Sequence, residues 1–563
     1  LAKEDAFYAR VEEIFNDLFL TDKYVGGNSA VDLLNREIFP DARWYVEEEG
    51  KDFSAEDPAF LEAARQHSNR SVAKEPLKLI SYVVRNNLPF TEILTADYIL
   101  VNAFSARVYG VKGLQFADKL NPEEWKPGKI EGFDHAGVIS SPMFLNRFPT
   151  TPTNRNRHRA RMVYRFFLAT DVMALAERPL DPTSIEDFNP TRENSQCTSC
   201  HAVIDPVAGA LQNWNERGMY APPAMGWYQE MWKPGFGTTD LPYADRLQGT
   251  AWLAKEITSD DRFAVATVLN VYRGLTGLEP IQALSTDPTI YEQQVKAHDI
   301  QVKFFEDVAD KFQAGNYDLK IVIAELVKSP YFRAKNVPAD WDETKRAAYA
   351  GTGVGRLLTP EQLNRKIKAI LGASWDENNR DHLLSTNSYR ILYGGIDSDG
   401  VVQRITTPNG IMANVQWRMA NEMACRVTAQ DFVKPMAERR LFKTVERSFA
   451  PEDANGFAIT ESVTSIRKTI QHLHALILGE RLTLDDPEIT RTYNIFYDTW
   501  KEGRQGVIDK KIDEWMECRA DRDPATGMDY PEEQRIQRDR DYTVRAWQAV
   551  MMYLLADYKF LHE

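Results

Sequence analysis

Residues 197–218, CTSCHAVIDPVAGALQNWNERG, carry the reading from which the rest follows. Cys197 and Cys200 stand three apart with His201 directly after, the spacing of c-type haem attachment. In that chemistry two thiols join the haem vinyl groups, and the adjacent imidazole reaches the iron as an axial ligand from the same helical turn. Two other readings of Cys-x-x-Cys compete: a dithiol redox pair and half of a zinc site. The first wants a neighbouring βαβ pattern and the second a further ligand pair, whereas the remaining cysteines, Cys425 and Cys518, are single and distant. The expected cofactor is one covalent haem c on Cys197 and Cys200, with His201 on the metal.

Around the motif, Asn194 to Gln196 lead into the helical turn that bears the cysteines. Asp205 and Pro206 are expected to end that turn, because proline has no N–H with which to continue it. A carbonyl near Pro206 is then expected to accept a hydrogen bond from the second nitrogen of His201 and fix the ring. Leu211 and Trp214 recur at helical spacing, and Gly218 is placed to close that second helix. Trp214 fits either a haem pocket or plain core packing.

The motif does not name the second axial ligand. Methionine sulfur is a common partner, which puts Met231 first and Met143 second as metal ligands, with Met225, Met219 and His135 behind them. Met231 lies in a Trp-, Pro- and Gly-rich stretch from Trp227 to Gly237 that could fold over the cofactor. Arg155, Arg157, Arg159, Arg161 and Arg165 form a basic run, read for most members as a solvated helix face and for one or more as partners of haem propionates.

The stretch 197–218 resembles the haem segment of a planctomycete- and myxobacterial-type family of multi-domain cytochrome c proteins, in which CxxCH is followed by Met- or Ile-Asp-Pro, a Gly and an aromatic-bearing segment ending in Gly. Other segments are similar in the same order: residues 76–110 with LPFTEILTADYILVNAFSARVYG, His135-Ala-Gly-Val138 followed by 153–168, then 261–277 and 319–332, ending KSPYF. About the first 335 residues are covered. Arg159 falls on the family's arginine, and the resemblance makes it the member of the basic run expected at the cofactor. Downstream, RLLTPEQLNRKIKAILG and residues 477–500 resemble the family's N-terminal module and the one that usually follows it, here placed after the haem segment instead of before it. The C-terminal residues 543–563 resemble the segment that precedes the module with which this chain begins. A circular permutation would explain that order, with Leu1 near Glu563 and the helix at Phe7 to Leu18 beside the one containing Trp547.

Composition sets the outer bounds. At 563 residues, 43% hydrophobic and 11% aromatic, the chain is a folded globular protein too long for one core. No apolar run approaches the ~18 residues that span a bilayer. Its 68 basic against 82 acidic residues give a net charge of −14, and Lys and Arg are mostly scattered, so neither nucleic acid nor an anionic membrane is an expected partner. Other redox proteins fit better, and a second copy of the chain or a cell-envelope component are further candidates. Leu1 in place of Met fits a removed signal peptide or a leader outside this sequence. Covalent haem attachment by this route takes place outside the bacterial cytoplasm, so the expected location is periplasmic or extracellular.

Patterning is mainly α. Phe7, Val11, Ile14, Phe15 and Leu18 form one amphipathic stripe, Leu363, Ile367, Ile370 and Leu371 another, and alternating strands are scarce. Three glycines between Ala347 and Gly355 mark a joint, and Thr359, Pro360 and Gln362 make a helix start with a capping box. This predicts a helical domain over 1–345, with the haem segment at about 135–240, and a second helical domain over 356–563 whose last helix packs back on the N-terminal region. An oxidising compartment would leave Cys425 and Cys518 paired with each other or as buried thiols. His472 and His474, two apart on a helix, do not share a face and are read as ordinary histidines. Asp397-Ser-Asp399-Gly400 and Asp521-Arg-Asp523 lack a complete calcium-loop pattern and are read as turns.

The expected function is single-electron transfer through the haem. A haem enzyme of peroxidase or oxidase type with an open distal side, and a surface-assembly protein with an accessory haem, are the alternatives.

Overall fold

The computed structural model describes residues 4–175, 189–223, 226–281, 287–334, 337–353, 355–378, 380–524 and 526–563. About 53% of the chain is helical. Among the described residues the sheets are four two-stranded antiparallel pairs: β1 (Ile99–Val101) with β2 (Lys126–Gly128), β3 (Gly235–Phe236) with β4 (Thr239–Asp240), β5 (Asp376–Glu377) with β6 (Arg380–Asp381), and β7 (Trp515–Ala520) with β8 (Ile536–Arg538). The fold is mainly α. Among the described residues no helix is long and apolar enough to cross a membrane.

Two units divide the chain, one of Leu1–Val354 with Ser398–Val402, the other of Gly355–Asp397 with Gln403–Glu563. The first is built on α1 (Asp5–Phe19), α2 (Pro58–Arg85), α3 (Arg157–Phe167), α4 (Ser195–Ala210), α5 (Gly249–Ser259), α6 (Asp261–Thr276), α7 (Pro288–Ala314) and α8 (Leu319–Lys328). On α1 the buried stripe is Tyr8, Val11, Ile14, Phe15 and Phe19, with Phe7 and Leu18 only partly covered. Ile14 packs on Gly274 of α6, and the Arg10 guanidinium donates to the Gly274 carbonyl at 2.6 Å. Phe15, Phe19, Phe144, Phe166 and Phe167 then join Val207, Ala208 and Leu211 from the cysteine-bearing segment in one apolar cluster. Those ring pairs lie 5.6–6.5 Å apart with tilted or edge-on geometry, as aromatic quadrupoles prefer. A separate cluster gathers Tyr24, Phe39, Phe104, Tyr109, Met143 and Met219.

The second unit contains α9 (Pro360–Leu371), α10 (Gly410–Val433), α11 (Thr460–Leu473), α12 (Pro487–Ile508) and α13 (Thr543–Leu555). The start of α9 is the capping box read from the sequence: Thr359 Oγ1 accepts from the Gln362 N–H at 3.3 Å, and the Gln362 side chain accepts from the Thr359 N–H at 3.0 Å. Leu363, Ile367 and Leu371 are its buried face. In this unit α13 packs on α10 and α12, placing Trp547 against Phe442 and Phe496. A disulfide joins Cys425 of α10 to Cys518 of β7, with the two Cα atoms 4.9 Å apart. His474 is buried between Glu480, at 2.8 Å, and Thr492, at 2.9 Å, while His472 bonds the Arg440 carbonyl. Leu1, whose proximity to Glu563 the permuted order predicts, lies outside the described residues.

Two local expectations are corrected. The turn bearing the cysteines does not stop at Pro206: α4 runs through it to Ala210, just as α2 runs through Pro76. An interior proline costs a helix about 3 kcal/mol. Val207, Ala208, Ala210 and Leu211, each at most 1% exposed, bury enough apolar surface to outweigh that cost, at about 1.5–3 kcal/mol per large side chain. Nor is there a helix from Leu211 to Gly218. After Ala210 the chain turns, Trp214 forms an isolated bridge with Tyr220, and Gly218 sits at φ +66° inside that turn. A Cβ on Gly218 would meet the Asn146 amide at 2.7 Å, so the turn is held close to its neighbour.

Candidate functional site

Spacing alone puts Cys197, Cys200, His201 and Asp205 on one face of α4, because residues three, four and eight apart recur on the same side of a helix. Neither cysteine is in a disulfide: Cys197 is buried and Cys200 is half-buried, its Sγ 3.4 Å from the Val172 carbonyl. His201 keeps about a quarter of its side chain exposed. Its Nδ1 lies 3.0 Å from Asp205 Oδ1. A carboxylate only accepts, so Nδ1 carries a proton, and in the neutral ring Nε2 presents a lone pair with no hydrogen-bond partner among the described residues.

The partner of His201 is therefore a side-chain carboxylate and not a backbone carbonyl at Pro206. Asp205 is fully buried. Arg157, from the first turn of α3, grips it with Nε on Oδ1 at 2.7 Å and Nη2 on Oδ2 at 3.2 Å. Burial acts to raise the pKa of Asp205, but the hydrogen bonds from His201 and Arg157 outweigh it and hold the carboxyl below its usual value. Tyr164, two turns further along α3, donates its hydroxyl to the Val203 carbonyl at 3.2 Å and stacks on Phe236.

Arg159 serves the scaffold. It is completely buried, and its guanidinium donates to the carbonyls of Leu145, Phe148 and Trp214 and to Asn156 Oδ1, at 2.8–3.3 Å. Trp214, 1% exposed, gives its indole N–H to Thr250 at 2.7 Å and packs against Phe133 and Tyr220. Of the other arginines, Arg155 pairs with Glu230, Arg161 pairs with Asp171 at 3.6 Å, and Arg165 is exposed.

Met231 is 2% exposed, in the loop that follows the site. That loop is tied down on both sides of it. Asn189 donates to the Glu230 carbonyl at 3.1 Å, Arg192 donates to the Gln229 carbonyl at 3.4 Å and lies over the Trp232 ring, and Arg155 pairs with Glu230 and covers Tyr228. Further on, Pro234 lies against Gly209 of α4. The strap holding Met231 thus runs from the residues just before the cysteines to the far end of their helix. Met143 and Met219 belong to the other apolar cluster of the unit. His135 is buried and its Nε2 accepts from the Ile130 N–H at 3.0 Å. Met225 lies outside the described residues.

Sequence reading missed Asp205 as a partner of His201 and Arg157 as its clamp. The first was within reach, since His201 and Asp205 stand at i and i+4. The second needed the packing of α3 on α4.

The donor set suits a covalently held haem: two thiols and an imidazole on one helical face, the imidazole fixed at Nδ1 with Nε2 left over. The segment is similar to a cytochrome-associated domain found in multi-domain proteins of cytochrome type. The family model it matches, over residues 135–222, is PSCyt3, described as a protein of unknown function (DUF1588). No curated protein and no solved structure matches the chain.

Proposed function

We propose that the protein is an exported monohaem c-type cytochrome that passes single electrons. The observation that carries this reading is the shared face of Cys197, Cys200 and His201 on α4, with Nε2 of His201 unclaimed among the described residues. Bound haem would supply one-electron chemistry at its iron. Cys197 and Cys200 would hold it through thioethers and His201 would ligate the metal. Asp205 keeps the imidazole in one tautomer, and Arg157 keeps Asp205 in place. Met231, buried in a strap tied to both ends of the cysteine-bearing region, is the first choice for the second axial ligand and Met143 the second. Haem attachment and the Cys425–Cys518 disulfide both belong to a periplasmic or extracellular setting, with other redox proteins as partners.

Intact mass and haem staining of a denaturing gel test the reading. One added haem that survives denaturation is expected in the parent chain and none in Cys197→Ala/Cys200→Ala. Haem that extracts freely into acid solvent would overturn it.

One observation favours a haem enzyme of peroxidase or oxidase type: the imidazole is bonded to a buried carboxylate, which makes it a stronger electron donor than a carbonyl partner would. A high-spin ferrous form that binds carbon monoxide would select that reading. A low-spin spectrum with a weak sulfur-to-iron band would select electron transfer with methionine as the second ligand.

A further inference from the structure

The three groups Arg157, Asp205 and His201 form a short chain of charge leading to the unclaimed Nε2. Asp205 Oδ1 accepts from both neighbours, from His201 Nδ1 at 3.0 Å and from Arg157 Nε at 2.7 Å. The carboxylate is fully buried, so water does not dilute either contact. A carboxylate on Nδ1–H pushes electron density into the ring and makes Nε2 a stronger donor. A guanidinium on the same oxygen pulls density back. The two side chains act in opposite directions on one nitrogen, and they come from different helices, α4 and α3.

We infer that Asp205 and Arg157 are a pair of positioning residues that set the reduction potential of iron bound to His201, Asp205 lowering it and Arg157 raising it. This rests on the haem reading above. A stronger donor at Nε2 favours the ferric state, so replacing the carboxylate by an amide weakens the donor and favours the ferrous state. Replacing Arg157 by an uncharged side chain leaves the Asp205 charge to act fully on the imidazole. Because Arg157 works through Asp205, its effect should vanish once Asp205 is gone, which is the signature of coupling in a double-mutant cycle.

Redox titration of the purified holoprotein tests this, in Asp205→Asn, Arg157→Gln and the double variant, with haem content measured on each sample. Asp205→Asn is expected to raise the midpoint potential. Arg157→Gln is expected to lower it, by a shift of about tenfold in the reduced-to-oxidised ratio at fixed poise, ~59 mV for one electron. The double variant is expected to match Asp205→Asn. Unchanged potentials in haem-loaded variants would overturn the inference, and so would an Arg157 effect equal in size with and without Asp205. If Asp205→Asn fails to accumulate, the sign of the shift in Arg157→Gln decides alone. A parent chain without covalent haem would defeat the earlier reading, whereas a haem-bearing parent with unmoved variants defeats this one only.

Discussion

Gly209 has no room for a side chain beside Pro234: a Cβ at position 209 would lie 2.8 Å from the Pro234 Cα. In an unobstructed helix Gly→Ala gains about 1 kcal/mol. Here the obstacle is backbone and ring, and overpacking of that kind costs about 1–3 kcal/mol. Gly209→Ala should therefore lower the melting temperature and open the 226–237 strap to protease, and Gly209→Val should do so more strongly. A thermal melt and limited proteolysis read both effects. A more stable Gly209→Ala would show that the strap does not press on α4.

Arg159 ties together α3, the Leu145–Phe148 segment and the turn at Trp214. Arg159→Leu fills much of the space but leaves three buried carbonyls and the Asn156 side chain short of a donor. Each orphaned group costs about 1–3 kcal/mol, so with four of them a loss of at least about 4 kcal/mol is expected in urea unfolding. Lysine should not rescue it, since an ammonium cannot reproduce the planar fork.

Glu75 is fully buried on α2, with Ser141 donating to one oxygen and no partner for the other among the described residues. Burial pushes its pKa up to about 8, the Ser141 bond opposing only in part. The folded value thus exceeds the ordinary 4.5, so the folded state holds this proton longer than the unfolded one. Its contribution to stability is complete below pH 4.5 and is lost as pH rises towards 8. Glu75→Gln should flatten the stability profile across that window, by at most one proton or ~1.4 kcal/mol per pH unit. Denaturant midpoints measured from pH 4.5 to 8 check it, and an unaltered slope would refute it.

The Cys425–Cys518 bridge closes a sequence separation of 93 residues. In the chain-entropy limit a loop of that size is worth about 4–5 kcal/mol. Reduction, or Cys425→Ser/Cys518→Ser, should lower the unfolding transition of the second unit, followed by far-UV CD with and without reductant. Counting thiols under denaturing, non-reducing conditions should find neither cysteine. Two extra thiols would contradict the pairing.

What the sequence discloses is local. The box at Thr359 and Gln362 and the faces of α1 and α9 need only near neighbours, and the structure repeats them with small shifts at the ends of α1. Pro206 shows where local rules lose: its missing N–H argues for a stop, and the burial of the residues beyond it decides otherwise. Arg157 and Arg159 look alike in the sequence, two steps apart on one helix. One clamps a carboxylate and the other binds carbonyls, because they leave α3 on different sides. The periodicity of one helix does not reveal which neighbour each side meets.

The strap over the cysteine-bearing region also fixes an order of events. Cys197 is 8% exposed, and Asn189 and Arg192 before it donate to a loop that comes later in the chain and packs on Gly209 beyond it. On the proposed reading, a haem bound for Cys197 and Cys200 would have to arrive before that loop closes, while the polypeptide is still unfinished as a fold. Maturation and folding would then be a single process, and a chain refolded without its cofactor should take up none when offered haem afterwards. Haem staining of such a sample after mixing would show whether the door shuts.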